Sequence, residues 1–261
     1  RFDKESSADT RRYPLVLLAE NEEGYRNLLE LATKAALEGM YYKPRVDSEL
    51  LKQYGKGLLA LSGPVSGAIP QAALAEDGER VKMLLDQYRS FFGSENVYFE
   101  LNDFPNVPGQ SEANQQLIRF AKEFNVPLVA TNNSHYCRID DAEAHDVLLC
   151  IRKNANVGDT GRFSMMGGDF SMRSFAEMEK SFAHVPEALE NTRIIADRCS
   201  VAIPFGQYKI PGFPVKKDQT EESLLKAQCE EGLAKRYGAI IKKSPEREPD
   251  IRSRLDYELG V

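Results

Sequence analysis

Residues 126–136 read VPLVATNNSHY. The apolar run from Pro127 to Ala130 gives way at once to Thr131, Asn132, Asn133, Ser134 and His135. In a parallel sheet, ligands meet side chains at the carboxyl ends of the strands. A buried strand that opens abruptly into polar residues therefore predicts a site at its end. The same strand-like unit recurs on either side. LVLLAE (Leu15 to Glu20) is followed by Asn21, a helix N-cap, and by Tyr25, Leu28, Leu29, Leu31 and Ala32 at near-helical spacing, with Gly39 suited to the helix end. GLLALSG (Gly57 to Gly63) precedes a helical stretch from Ala72 to Phe92, and VYFELND (Val97 to Asp103) precedes one from Gln110 to Phe124. The quoted stretch itself leads to a helix from Asp140 to Ile151. Four strands alternating with helices imply an α/β fold with a parallel sheet and right-handed crossovers, open or closed as a barrel. An eightfold barrel would need more strands than the sequence shows.

After Arg152 the texture changes. Residues 153–170 carry Asn, Gly, Asp and Met without a period and read as a long loop or short hairpin. Ser174 with Glu177 three residues on has the spacing of a capping box, and Pro186 opens a helix that runs to Cys199. IPFGQYKIPGFPV (Ile203 to Val215) concentrates proline and glycine and reads as a linker, followed by a helix from Thr220 to Tyr237 and a final charged helix from Arg252 to Leu259. A domain boundary is placed near residue 206, giving a first domain over 1–206 and a second segment over 207–261. Residues 1–12 are charged and aperiodic and read as a lead-in. The chain opens at Arg1 without methionine and stops at Val261 in a helical pattern, so it is expected to be a fragment of something longer.

Composition narrows the classes. A formal charge of -6 argues against a surface devoted to nucleic acid, while leaving room for a local basic patch. No apolar run approaches the ~20 residues that span a bilayer, so no membrane partner is expected. Cys137, Cys150, Cys199 and Cys229 are irregularly spaced with no CxxC, which predicts reduced thiols and a cytoplasmic setting.

Three strand ends are expected to face one site: Ser62-Gly63-Pro64, Glu100 to Phe104, and Asn132 to His135. A metal site would draw on His, Asp, Glu or Cys, and His135 is the obvious ligand there, although a hydrogen-bonded histidine at the strand mouth is the simpler account of it. Alternation along a strand puts Glu100 and Asp103 on opposite faces, so both would not point inward. His145 reads as a half-buried helix residue, and His184 as a cation at a helix end. Lys43 and Arg45, in YYKPRVD, could hold a phosphate or contact DNA, or belong to a loop packed on the sheet. No G-x-S-x-G and no glycine-rich phosphate loop is present; GGD at Gly167 to Asp169 is a lone turn signal.

Taken together, LLAENEEGYRNLLEL, EGMYYKPRVDSELL, LLALSGPVSGAIP, YFELNDF, PLVATNNSHY, DAEAHDVLLCIRK and PEALENTRIIADRC closely resemble the PHP (polymerase and histidinol phosphatase) domain of the bacterial replicative polymerase III alpha subunits. GLAKRYG and RLDYELGV resemble the segment that leads from that domain into the polymerase palm. The match runs from Tyr13 to Val261. It implies an incomplete, distorted (βα)7 PHP barrel, with its early strands missing, and a C-terminal helical lead-in to the palm. In metal-binding relatives a Cys follows Ser-Gly, where this chain has Pro64; a His follows the YFEL strand, where it has Phe104; and Asp-x-His ends the ATN strand, where it has Asn133-Ser134-His135. Pro64 and Phe104 carry no donor, and Asn133 is neutral where a carboxylate would offset cation charge. His135 alone stays, so at most a weakly held metal is expected.

Within this family such degeneracy implies a PHP domain that supports the polymerase and docks a proofreading exonuclease subunit, with no catalytic residue and no cofactor of its own. The implied partners are the rest of the polymerase chain, that exonuclease, and DNA reached through the parent DNA-directed DNA polymerase. Mg would serve the parent's palm, outside this chain. Two alternatives stay open: a working metal-dependent PHP phosphoesterase or proofreading nuclease, and a free-standing PHP-like binding module. The isolated chain is expected to lack polymerase activity and to be only marginally soluble, because a barrel without its early strands would leave an apolar edge.

Overall fold

The computed structural model describes residues 12–104, 106–207 and 211–261, and the chain divides into two compact units, Arg1–Ile203 and Pro204–Val261. All but the last residue of the charged lead-in, and Tyr208 to Ile210 of the linker, lie outside the described residues.

In the first unit four strands form one sheet in the order β1 (Val16–Ala19), β2 (Leu58–Leu61), β3 (Val97–Asn102), β4 (Leu128–Thr131). The helices are α1 (Glu22–Leu37), α2 (Ser48–Tyr54), α3 (Ala68–Leu74), α4 (Gly78–Phe92), α5 (Gln110–Phe124), α6 (Ala142–Lys153), α7 (Phe175–Ser181) and α8 (Pro186–Arg198). Every residue of β2 and β3 is buried, which is why LLAL and VYFEL read as near-continuous apolar runs. Alternate strand residues serve two clusters. Leu58, Ala60, Phe99 and Leu128 pack with the helices in the main core; Leu59, Leu61, Tyr98 and Val129 form a smaller cluster with Ile195 of α8.

The wholly parallel sheet expected from the alternation is corrected at one edge. β2–β3 and β3–β4 are parallel, but β1 pairs antiparallel to β2, Val16 opposite Leu61. The cause lies where α1 begins. Its first turn rests against the turn that enters β2: Glu20 N donates to Gly57 O at 2.9 Å, and a Cβ on Gly24 would stand 1.8 Å from Gly57 O. With α1 and α2 packed together, β2 begins where β1 ends and must run back along it. The single helix expected over 72–92 is also two, α3 and α4. Glu76 takes a left-handed φ of 55°, and Asp77 caps α4 by accepting from Arg80 N at 2.9 Å.

Several local signals hold. Asn21 caps α1, Ser174 and Glu177 form a reciprocal capping box on α7, and Pro186 opens α8. The helix expected from Asp140 begins as a 3-10 turn, Ile139–Asp141, before α6. In the loop over 154–170 no strand forms; one isolated bridge, Tyr136 with Ser171, ties its end to the segment after β4. The two edges of the sheet differ. At β4 the outward carbonyls are taken by α8: Asn191 Nδ2 donates to Leu128 O at 2.7 Å and Thr192 Oγ1 to Ala130 O at 2.9 Å. At β1 no further strand pairs among the described residues, and a groove of about 510 Å³ lined by Tyr13, Leu15, Leu17, Arg45, Tyr88 and Phe91 lies beside it. At the end of α8, Arg198 binds Glu20 at 2.9 Å, Glu95 O and the Tyr98 hydroxyl at 3.0 Å, and Asn96 Oδ1. Beyond it, Ser200 N donates to Glu20 O and Ala202 N to the Glu22 carboxylate, both at 2.9 Å.

The second unit carries α9 (Glu221–Lys243) and α10 (Glu248–Gly260). α9 starts at the Thr220 cap, as read, but runs six residues past Tyr237, to Lys243, where lysines at the end suit the helix dipole. Among the described residues no helix is long and apolar enough to cross a membrane.

Candidate functional site

The ends of β2, β3 and β4 are drawn together by side chains that continue the sheet. Just past β2, Ser62 Oγ accepts from Glu100 N at 2.9 Å. On β3, Glu100 and Asn102 share a face. Asn102 Nδ2 donates to Thr131 Oγ1 on β4 at 2.5 Å, and Thr131 Oγ1 in turn donates to Glu100 Oε1. Glu100 is 8% exposed, and among the described residues its Oε2 is buried with no hydrogen-bond partner. Asp103 faces elsewhere, as alternation requires, and meets Arg173 Nη1 at 2.9 Å. Burial pushes the Asp103 carboxyl up, but Ser181 and the Arg173 guanidinium outweigh it and hold the group below the ordinary aspartate value. Arg173 Nε and Nη2 are buried without a partner among the described residues.

Aromatic rings fill the mouth. Phe104 is 5% exposed and stacks on Phe170 with centroids 4.7 Å apart. His135 meets the same Phe170 edge-on at 5.8 Å, and its backbone N donates to Phe170 O at 2.8 Å. Its ring also stands 5.4 Å from His145 on α6, which touches Tyr136 at the same separation. His135 is open to solvent on its outer side, yet partial burial, and then the nearby His145, lower its pKa from the ordinary histidine value.

Of the positions singled out in the sequence, Phe104 and His135 come together through Phe170. Asn133 is exposed, and Pro64 forms the turn after β2, its carbonyl accepting from Gly67 N at 2.7 Å. Lys43 and Arg45 belong to a different surface, the loop between α1 and α2. Lys43 is exposed, while the Arg45 guanidinium lies over the Tyr41 ring at 4.8 Å and lines the groove beside β1. His184 stacks on Phe182 at 6.5 Å, between α7 and α8.

Sequence reading missed two ion pairs. Asp146 on α6 is buried and takes both Arg162 nitrogens, at 2.8 and 2.5 Å, together with the Ser164 hydroxyl at 2.7 Å. Hydrogen bonds from Arg162 and then Ser164 bring its pKa down to about 2. The signal for this pair was an aspartate four residues before a buried Cys150 on one helix face. Nothing in the spacing pointed to Arg173, 70 residues from Asp103. Asp103, Asp146 and one oxygen of Glu100 are thus already engaged by protein groups. Among the described residues no three His, Cys, Asp or Glu stand together as a multi-ligand metal site would require.

Comparison with known proteins supplies the wider frame. Residues 2–104 match the PHP domain family. The chain is 36% identical over 263 residues to the DNA polymerase III subunit alpha of Treponema pallidum, covering all of this chain and 22% of that protein. The subunit alpha of Borreliella burgdorferi is 36% identical over 260 residues, and that of Thermus aquaticus 36% over 259, covering 99% and 95% of this chain. The chain spans 22% or less of the length of these three curated relatives. Residues 2–104 thus carry the PHP-domain match, and the chain as a whole is similar, from end to end, to a stretch of the DNA polymerase III alpha subunits.

Proposed function

We propose that this chain works as part of a replicative DNA-directed DNA polymerase, in which its PHP unit is a scaffold without a metal-dependent reaction of its own. The four-stranded sheet is read as part of a distorted (βα)7 barrel whose remaining strands would continue from β1, with the PHP unit ending near residue 206 and 207–261 leading towards the palm. The observation that carries the scaffold reading is the packed mouth: Phe104 on Phe170, with His135 against the same ring. A divalent ion needs several anionic or imidazole ligands at coordination distance, and an apolar ring at one position and a neutral amide at Asn133 supply none. Asp103, in its ion pair with Arg173, favours the same reading, as does the Glu100 oxygen that accepts from Thr131.

In this proposal the partners are the rest of the polymerase chain and a proofreading exonuclease subunit. DNA and the Mg ions of polymerisation belong to the parent's palm. Lys43, exposed in the loop between α1 and α2, is the side chain best placed for a phosphate, with Arg45 two residues on lying over the Tyr41 ring. The test is metal analysis of the full-length polymerase after dialysis, alongside assays on a model phosphoester and on a 3′-ended DNA. A trace of weakly held ion and no hydrolysis are expected, and Asn133→Asp alone should not restore activity. More than one tightly bound ion per chain, with hydrolysis lost in His135→Ala, would replace the scaffold by the phosphoesterase reading.

A further inference from the structure

The outer face of α6 has no role in the site. Ala144, Val147, Leu148 and Ile151 stand at i, i+3, i+4 and i+7, the spacing by which a helix turns an apolar stripe towards a core. Here the stripe faces outward: Val147, Leu148 and Ile151 are 45%, 61% and 72% exposed. The opposite face is already occupied. Asp146 and Cys150 are buried there, and Arg162 clamps the following loop onto Asp146, away from the stripe.

We propose that this stripe is where another segment of the longer polymerase chain packs, presenting a helix with an aliphatic stripe of its own. The proposal rests on the polymerase reading above. Three features favour this occupant. The stripe is wholly aliphatic, whereas surfaces that dock separate proteins transiently enrich aromatic and arginine anchors; permanent interfaces resemble a core cut in half. The helix is charged at both ends, Asp140, Asp141 and Glu143 before the stripe and Arg152 and Lys153 after it, so an antiparallel helix of the same polarity meets opposite charges at each end. A second copy would offer that match too, but four residues a side fall far short of the ~20–30 a specific dimer uses. A tethered segment needs much less area, because its effective concentration is set by the chain. The aligned stretch is only 22% of the Treponema pallidum relative, so such a segment has ample chain to come from.

Carbene footprinting of Val147, Leu148 and Ile151 tests this, on the 261-residue chain and on the full-length polymerase, with primer extension assayed on the latter. Labelling of all three should fall several-fold in the full-length chain. Leu148→Glu should lower the melting temperature of the full-length chain and leave that of the 261-residue chain unchanged. Equal labelling in the two would overturn the proposal. So would labelling of the shorter chain that falls with its concentration as a dimer sediments, which would assign the stripe to a second copy. Protection of the full-length chain that arises only on adding another protein would likewise overturn it. A full-length chain that shows protection but extends no primer would fault the polymerase reading and leave the stripe's occupant in place.

Discussion

The two edges of the sheet end in opposite ways. β4 is closed: α8 lies along it, and Asn191 and Thr192 satisfy the carbonyls of Leu128 and Ala130 that no strand takes. β1 is open among the described residues, all four of its positions only partly buried, with a groove running beside it. An unpaired edge is a template for another strand, and a helix laid over it removes that template. The difference shows which edge of the sheet the described residues cover and which they leave uncovered.

The sharpest way to break the comparison is to delete equivalent apolar groups at each edge of the smaller cluster. Ile195→Ala, on α8 over the closed side, should cost about 2–5 kcal/mol in chemical denaturation. Leu18→Ala on β1 touches the same cluster from the open side and should cost about 1–2 kcal/mol, because its side chain is never fully removed from water. Equal losses would mean that β1 is as well covered as β4. Next in size, Asn191→Ala leaves Leu128 O without its donor and should destabilise by about 1–2 kcal/mol, with faster amide exchange in β4 and none in β1.

Acid should loosen the 154–170 loop selectively, away from either edge of the sheet. The Asp146 carboxyl titrates near 2 in the folded chain against an ordinary 3.8, so its contribution is complete above about pH 4 and disappears as pH falls towards 2. Amide exchange in the 154–170 loop should therefore accelerate across that window in the wild type, and in Asp146→Asn should already be fast at neutral pH. The smallest effect is expected in the loop between α1 and α2. Lys43→Ala, at an exposed position, should leave stability within about 0.5 kcal/mol while weakening DNA binding by the full-length polymerase; a large loss of stability would show that Lys43 serves the fold.

What was legible in the sequence was local. Buried strands declared themselves as apolar runs because both faces of β2 and β3 are covered, and Asn21, Ser174 and Pro186 marked helix starts because caps are satisfied within a few residues. The polar end of the ATNNSHY stretch pointed to His135, and the resemblance marked Pro64, Phe104 and Asn133 as substituted ligand positions. What the sequence hid was set by tertiary approach. The reversal of β1 depends on two glycines, Gly24 and Gly57, that allow backbone against backbone, and either alone reads as an ordinary turn or helix residue. The Arg173–Asp103 pair and the meeting of His135 with His145 join side chains from different elements, which no periodicity encodes.

Arg198 has a mechanical consequence. With Ser200 and Ala202 it fastens the end of α8 and the strand of chain after it to Glu20 and Glu22, where β1 turns into α1. Tension applied to the polypeptide beyond residue 203 is therefore delivered first to that junction, and reaches the packed mouth of the strands only after those bonds yield. The stretch 198–202 is a strain relief: whatever moves downstream can pull on the chain without disturbing the ends of β3 and β4.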